Sequence, residues 1–275
     1  MKLCMMSYTM ARRPELFSLR GMLELSKELG LTGIDFVTLH DTPPAELRRM
    51  AEDYGLTIAC HTFMADLNHP EAAGRRAGVD AAKRGIDAAV ALGADTVMIP
   101  TAGPPEMPRA QTRRNIIAGL QEIVGFATRA GITLTVENFP GASSPFVIAA
   151  DLREAQAAVP ELRFTFDSGN AAQGEDPAAS FTRCADAVVH AHFKDWVTTT
   201  PEDGHPGLDG RYYRAALIGQ GIVAYPALLA AMHRAGYAGY IDIEYEGHAL
   251  TPEQAVRQAV AYLRGQMAAL GIPEG

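Results

Sequence analysis

The stretch Val188–Trp196, with the sequence VVHAHFKDW, is an apolar β-branched run that stops abruptly at polar and charged residues. It predicts a buried strand, and because successive side chains of a strand alternate between its faces, His190, His192 and Lys194 share one face. Two imidazoles and an ammonium on a buried face each need a partner or a function. A metal ion or a polar substrate would supply both, so we expect a functional site where this strand ends.

Seven further apolar runs predict strands, and helical patterns lie between them. The predicted strands are Leu3–Ser7, Gly33–Val37, Thr57–Cys60, Thr96–Pro100, Ile132–Val136, Arg163–Phe166, Ala187–Phe193 and Tyr240–Glu244. The predicted helices are Leu16–Leu29, Ala45–Tyr54, Ala77–Leu92, Arg109–Ala130, Val147–Val159, Ala178–Cys184, Pro226–Ala235 and Pro252–Leu270. Strict alternation of about eight strands and eight helices predicts an α/β fold, the (β/α)8 TIM barrel, whose active sites lie at the C-terminal strand ends.

The connections agree with this architecture. A glycine follows many predicted helices and leads into the next strand after a short loop, at Gly30, Gly55, Gly93, Gly131 and Gly236. A doubly wound sheet is the competing architecture, but no GxGxxG motif follows the first strand. No shift in composition marks a boundary, so we expect a single domain over residues 1–275.

Composition limits the class of protein. The chain is 48% hydrophobic and carries a formal net charge of −8, which argues against a nucleic-acid surface because phosphate binding depends on clustered Lys and Arg. No apolar run approaches the roughly 18 residues of a membrane span, and the N-terminus is too soon charged for a signal peptide. We therefore expect a cytoplasmic protein with no membrane or nucleic-acid partner. Cys4, Cys60 and Cys184 form no CxxC pair and are expected to be buried free thiols.

The ends of the four last predicted strands carry three carboxylates and one imidazole: Glu137, Asp167, His192 and Glu244. In a barrel these ends ring one axis, so the carboxylates would repel one another unless a cation neutralised them. A set rich in oxygen with one nitrogen suits Mn²⁺, Mg²⁺, Co²⁺ or Zn²⁺. We expect one such ion, with Mn²⁺ as the first choice.

The motifs around these residues resemble those of the sugar phosphate isomerase/epimerase family with a xylose-isomerase-like barrel, which includes ketose 3-epimerases and inosose dehydratases. They are VENFPG at Val136–Gly141, FDSGN at Phe166–Asn170, HAHFKDW at His190–Trp196 and GYIDIEYEG at Gly239–Gly247. The resemblance covers essentially the whole chain. It implies that the Glu, Asp, His and Glu at these four strand ends hold the metal, but it does not name a substrate.

Several other polar residues are candidates for contact with the substrate. His40 and His61 close predicted strands, and Asn170 lies where some members of the family have a histidine. Lys194 and Asp195 follow His192 directly, and they are interpreted either as a donor to a substrate oxygen with its ion-pair partner or as a salt bridge at the strand end. His190 lies deeper, where we expect a structural hydrogen bond to a neighbouring strand.

The segment Val197–Ile222 has no clear helical or strand period, and its length predicts a functional loop, a lid over the site. It carries Arg211, the last candidate for substrate binding, together with His205, Tyr212, Tyr213 and Arg214. The amides of its GQG turn, Gly219–Gly221, could hold a phosphate, but this turn alone does not establish a phosphorylated substrate.

The predicted chemistry is proton abstraction next to a carbonyl. Glu137 and Glu244 would act as ligands and as acid/base groups, and the metal would stabilise an enediolate. If the proton returns to the opposite face of a sugar or keto-sugar, the result is epimerisation, and if it returns to the adjacent carbon, the result is isomerisation. Loss of a β-leaving group from the same enediolate would make the enzyme a dehydratase or lyase. Rival hypotheses are an apurinic-endonuclease-like repair enzyme, which needs three zinc ions and a basic face, and a non-catalytic sugar-binding barrel. The sequence leaves open whether the protein forms a homo-oligomer.

Overall fold

The computed structural model describes residues 1–275, and eight of its strands close into a barrel. The strands are β1 Lys2–Met6, β2 Gly33–Val37, β3 Thr57–Thr62, β4 Thr96–Ile99, β5 Thr133–Glu137, β6 Arg163–Asp167, β7 Val188–Phe193, β8 Asp195–Thr199, β9 His205–Pro206, β10 Tyr212–Ala216 and β11 Tyr240–Ile243. The barrel order is β1-β11-β7-β6-β5-β4-β3-β2, and every pair in it is parallel. The predicted barrel is confirmed, and the doubly wound alternative is excluded.

Helices follow the barrel strands. They are α1 Ser7–Ala11, α2 Leu19–Glu28, α3 Pro44–Asp53, α4 Ala72–Leu92, α5 Arg109–Arg129, α6 Ala149–Ala158, α7 Ser168–Ala171, α8 Pro177–Cys184, α9 Tyr225–Arg234 and α10 Pro252–Ala269. The eight predicted helices are all present. The short helices α1 and α7 were not predicted, because four or five residues are too few to show a helical period. None of the helices combines the length and the apolar character that a membrane span requires.

Local chemistry explains how the helices begin and end. The glycines at their C-termini take left-handed backbone angles, with φ of 78° at Gly93 and 73° at Gly131, which residues with a Cβ adopt at a cost. Thr251 and Gln254 form a reciprocal capping box at the start of α10. These short, well-defined connections leave the longer loops at the opposite, C-terminal face of the barrel.

The interior of the barrel is not purely aliphatic. A core of 63 buried apolar residues surrounds the strands, but polar side chains also point inward, such as Thr135 and Thr165, whose hydroxyls lie 2.8 Å apart. All three cysteines are free and buried, as predicted. A buried polar group is costly without a partner. The polar residues inside the barrel therefore mark positions where the side chains must do more than fill space in the core.

A small second sheet covers the C-terminal face. Its order is β8-β10-β9, with β10 antiparallel to both neighbours. The segment Val197–Ile222, predicted as a loop, therefore contains β9, β10 and part of β8, and the prediction of a plain loop was wrong. These strands have only two to five residues, and the tyrosines at Tyr212 and Tyr213 give no alternation that a sequence pattern could detect.

Candidate active site

The four residues predicted at the strand ends meet at the barrel axis. Glu137 ends β5, Asp167 ends β6, His192 lies in β7 and Glu244 directly follows β11. All are buried, with at most 4% of each residue exposed, and one ligand atom from each lies within 4.8 Å of the others. His192 Nδ1 is 2.7 Å from Glu137 Oε1. We call these four residues the outer cluster.

The outer cluster fits a divalent cation. Asp167 Oδ2 and Glu244 Oε2 are buried and have no hydrogen-bond partner, which is costly for carboxylate oxygens. Three carboxylates with one imidazole form a donor set that hard or borderline divalent ions accept. A bound ion would satisfy both oxygens and reduce the repulsion between the carboxylates.

Lys194 reaches into the outer cluster from the end of β7. Its Nζ lies 3.0 Å from Glu244 Oε1, 2.9 Å from Glu246 Oε1 and 3.5 Å from Asp167 Oδ2. Burial alone would lower the pKa of Lys194, but these carboxylates outweigh it and raise the pKa well above its ordinary value. One ammonium is thus divided among three carboxylates, and none of them is fully neutralised.

The carboxylates themselves respond to this crowding. Burial raises the pKa of Asp167 well above its ordinary value and that of Glu244 to about 8, although Lys194 opposes both shifts. Burial would also raise the pKa of Glu137, but the adjacent His192 outweighs it and lowers the pKa. Without a cation beside them, Asp167 and Glu244 therefore hold a proton more tightly than a free carboxyl group does, and a bound cation would favour their ionised forms.

Asn138 and Asn170 hold and flank Asp167. The Asn138 side chain donates to the Asp167 carbonyl and accepts from the Asp167 amide, both at 2.8 Å, so it ties the end of β5 to the end of β6. Asp167 Oδ1 accepts from the Asn170 amide N–H at 2.6 Å. The Asn170 side chain is buried with both amide atoms unpartnered, which leaves it free to bind a polar ligand.

Glu246 was missed by sequence reasoning. It lies between Lys194 and Arg12, whose Nη1 is 3.8 Å from Glu246 Oε2. The signal was present in the motif GYIDIEYEG, where Glu246 follows Glu244 by two residues, the spacing that returns an extended chain to the same face.

His61 and His40 lie on β3 and in the loop after β2. His61 Nδ1 is 2.8 Å from the Phe36 carbonyl, so this nitrogen donates and Nε2 keeps its lone pair. His40 Nε2 lies 3.0 Å from Ser7 Oγ. Burial lowers the pKa of both histidines. Neither makes a hydrogen bond or an ion pair with an outer-cluster residue.

The loop that carries His40 is strained. Thr38, His40 and Asp41 have φ of 70°, 47° and 55°, in the left-handed region that residues with a Cβ seldom adopt. Such strain is concentrated at functional sites in proteins, and it supports a role for His40 beyond loop structure.

A cavity of about 1050 Å³ is linked to the outer cluster through Glu246, which forms part of its wall and contacts Lys194, whereas the four outer-cluster residues do not line it. The three-stranded sheet contributes much of the rest, namely Trp196, His205, Pro206, Tyr213, Arg214 and Ala215. The segment predicted as a lid thus lies over the cavity. Arg211 does not reach it: its exposed guanidinium pairs with Asp209 at 2.7 Å. Arg214, three residues later, lines the cavity and has no ion-pair partner.

Asp195 does not pair with Lys194, and that prediction was wrong. Its carboxylate accepts instead from the backbone N–H groups of Trp196, Gly219, Gly221 and Val223, at 3.0–3.1 Å. The amides of Gly219 and Gly221, considered for phosphate, are occupied by Asp195 Oδ2. A Cβ on Gly221 would collide with this carboxylate. Asp195 therefore anchors the base of the lid.

A second polar cluster lies one layer deeper in the barrel. It joins Asp35, His190 and Asp242 to His192, and ligand atoms of all four lie within 4.8 Å of one another. We call it the inner cluster. His190 Nε2 is 2.9 Å from Asp242 Oδ2 on the neighbouring strand β11, as expected for a structural hydrogen bond. Both aspartates were missed, although an acidic residue inside the apolar runs GIDFV and YIDI was a visible signal.

Comparison with known proteins agrees with the barrel fold described above. The sequence model of the family described as "Xylose isomerase-like TIM barrel" matches residues 23–266. No curated protein sequence matches the chain significantly.

Three solved structures share the fold. The chain is similar to the IolI protein with a bound zinc atom, with 17% identity, coverage of 98% of this chain and 99% of that one, and a TM-score of 0.81. It is similar to an L-ribulose 3-epimerase, with 16% identity, coverage of 98% and 95%, and a TM-score of 0.79. It is also similar to the 3-keto-D-glucoside 4-epimerase YcjR from E. coli, with 18% identity, coverage of 96% and 99%, and a TM-score of 0.74.

Proposed function

The chain belongs to the xylose isomerase-like TIM barrel family, and we propose that it is a divalent-metal-dependent enzyme that isomerises or epimerises a sugar or keto-sugar. Two of the three solved structures compared above are sugar epimerases. The observation that carries the proposal is the outer cluster, in which two glutamates, an aspartate and a histidine converge with two unpartnered carboxylate oxygens. Such a set suits one ion, for which Mn²⁺ is our first choice and Zn²⁺, Mg²⁺ and Co²⁺ are the alternatives.

The two glutamates approach the site from different directions. β5, which carries Glu137, and β11, which precedes Glu244, are three places apart in the ring of eight strands. One carboxylate can therefore remove a proton from the carbon next to a carbonyl, and the other can return a proton to the opposite face or to the adjacent carbon. The bound ion would polarise the carbonyl and offset the negative charge that develops on the substrate.

The remaining candidates fit roles in binding. Lys194 donates into the cluster and can orient an oxygen of the substrate, and the unpartnered amide of Asn170 can accept from and donate to hydroxyl groups. The cavity has the volume of a site for a small organic molecule. The lid would exclude water while the proton is being transferred.

The test is proton exchange. We would incubate the protein with keto-sugars and sugar phosphates in deuterated water, with each of the four ions and with a chelator. We expect uptake of deuterium next to the carbonyl that requires the ion, together with an epimer or isomer as the product. Glu137→Gln, loaded with the same ion, is the control.

The other products separate the alternatives. A dehydrated product would identify the lyase chemistry instead. If no substrate of either class exchanges protons with any ion, although the protein binds the ion, the proposal is overturned in favour of a binding function.

A further inference from the structure

The inner cluster has no part in the proposed reaction, yet it shares His192 with the outer cluster. Its other members, Asp35, His190 and Asp242, are at most 1% exposed. Asp242 precedes Glu244 by two residues and His190 precedes His192 by two, so these side chains point inward one layer nearer the N-terminal ends of the strands. The cluster is sealed inside the barrel, beneath the proposed metal centre.

The two ring nitrogens of His192 face different clusters. Nδ1 faces the outer one, where it is hydrogen-bonded to Glu137 Oε1 at 2.7 Å and lies 3.9 Å from Glu244 Oε2. A cation bound at Nδ1 would replace the proton of this hydrogen bond. Nε2 faces the inner one, 3.4 Å from Asp242 Oδ2 and 3.7 Å from Asp35 Oδ2, and makes no hydrogen bond at these distances. A neutral imidazole carries a proton on one nitrogen and a lone pair on the other. Which nitrogen keeps the proton decides whether the lone pair points at the outer cluster.

We propose that Asp242, assisted by Asp35, keeps the proton of His192 on Nε2 and so presents Nδ1 as a metal ligand. This inference rests on the metal centre of the proposed function. A carboxylate behind a ligating histidine fixes the tautomer and the orientation of the ring and makes the ligand more basic, and losing it typically lowers metal affinity about 10- to 100-fold. Asp242 is thus a positioning residue that acts through His192.

Other contacts hold both carboxylates in the inner layer. Asp242 Oδ2 accepts from His190 Nε2 at 2.9 Å, and the His190 ring lies edge-on to that of His192, with centroids 5.3 Å apart. Asp35 Oδ2 accepts from Thr62 Oγ1 at 2.9 Å. One oxygen of each carboxylate is therefore held in the inner layer, behind His192, while the other oxygens, Asp35 Oδ1 and Asp242 Oδ1, make no hydrogen bond.

The first experiment measures Zn²⁺ affinity by competition with a chromophoric chelator. We expect Asp242→Asn to bind Zn²⁺ about 10- to 100-fold more weakly than the wild type, since an amide can also turn its N–H toward Nε2 and stabilise the wrong tautomer. Asp35→Asn should have a smaller effect, because Asp35 lies farther from Nε2. The matched control is Asp151→Asn, a buried carboxylate that pairs with Arg109 and Arg113 outside the barrel axis and should keep wild-type affinity.

The second experiment does not depend on any variant folding. In the wild-type protein loaded with Zn²⁺, long-range ¹H–¹⁵N correlation of the histidine side chains should show His192 protonated on Nε2 and not on Nδ1. A proton on Nδ1, or a second ion per chain with His192 bridging the two, overturns the inference. A purely structural role for Asp242 would change stability but leave this tautomer and the Zn²⁺ affinity unchanged.

The outcomes separate this inference from the proposed function. If the wild-type protein binds no divalent ion, both are overturned. If the wild-type protein binds one ion and Asp242→Asn binds it with equal affinity, only the positioning role of Asp242 is overturned and the metal centre remains.

Discussion

The outer and inner clusters are built from the same residue types and share His192, but they differ in charge balance and in access. The inner cluster sets two carboxylates against two imidazoles inside a sealed barrel. The outer cluster sets three carboxylates against the shared imidazole and one divided ammonium, beside a cavity of about 1050 Å³. Each inner carboxylate has a partner within the protein, His190 for Asp242 and Thr62 for Asp35. Two of the three outer carboxylates share one ammonium, and an ion from solution would complete their pairing.

Position along the strand produces this difference. Side chains in the middle of a barrel strand meet only other side chains, so any partner of a polar group there comes from the protein itself. Beyond the C-terminal end of a strand lie the loops and the cavity, so a ligand can serve there as the partner of a polar side chain. The same residue types therefore meet only protein partners at one depth and can meet a ligand at the next.

The largest expected effect is removal of an outer ligand. Asp167→Ala should lower bound metal from one ion per chain to nearly none and reduce turnover to background, since it removes a carboxylate whose Oδ2 has no other partner. His192→Ala should do the same. The measurement is metal content by mass spectrometry after dialysis. The matched inner variant, His190→Ala, should keep its ion when excess metal is supplied, and full retention of metal by both outer variants would refute the ligand assignment.

The next effect concerns the proton-transfer groups of the outer cluster. Glu137→Gln and Glu244→Gln keep an oxygen ligand but cannot accept a proton, so each variant, fully loaded with metal, should lose at least about 100-fold in kcat, the lower limit for a positioned acid or base. Steady-state kinetics at saturating metal measure this. If Glu244→Gln turns over like the wild type, Glu244 is a ligand only, and the acid/base candidates become Glu137 with His40, His61 or Lys194.

The fold was predictable in detail because its signals are local. Apolar runs and glycines after helices specify β1 to β7 and β11, and the strands of the barrel agree with the predicted ones to within two residues at either end. The strand-end carboxylates were predictable because parallel strands bring equivalent positions to one rim.

The partners of those residues could not be predicted in the same way. Asp195 was assigned to Lys194 because the two are adjacent in sequence, yet it accepts four backbone N–H groups, three of them 24 to 28 residues away. The lid strands were missed because their pairing, Thr199 with Tyr212 for example, depends on tertiary contacts and not on periodicity.

A measurement of stability can compare the pairing in the inner cluster with that in the outer cluster. His190→Ala would leave Asp242 as a buried carboxylate without its partner, and breaking such a pair typically costs about 3–5 kcal/mol. Lys194→Met in the metal-loaded protein should cost less, because the ion compensates the outer carboxylates. Urea unfolding of both variants, with and without metal, measures the difference. A loss for Lys194→Met equal to that for His190→Ala, with metal bound, would mean that the two clusters are balanced in the same way.

The smallest expected effect tests the lid, which lines the cavity on the side of the outer cluster and lies away from the inner one. Because Thr199 lies opposite Tyr212 in the antiparallel pair of β8 and β10, residues 200–211 can be replaced by Asn-Gly, the two-residue turn that such strands favour. We expect KM to rise about tenfold, which corresponds to about 1.4 kcal/mol. Metal affinity should be unchanged. Stability should fall by about 3 kcal/mol, because the removed residues make three hydrogen bonds to the chain outside the lid, Gln173 with His205, Ala142 with Pro206 and Asp209 with Gln173.

Two arginines of this segment supply the controls for the lid. Arg214→Ala removes a cation from the cavity wall and should raise KM in the same direction, whereas Arg211→Ala removes an exposed group paired with Asp209 and should leave KM at the wild-type value. An exposed ion pair of this kind contributes at most about 1 kcal/mol to stability, so Arg211→Ala should also fold normally. If the shortened variant and Arg214→Ala both keep wild-type KM, the sheet is a passive cover, and the selectivity of the site must come from Lys194, Asn170 and the outer cluster alone.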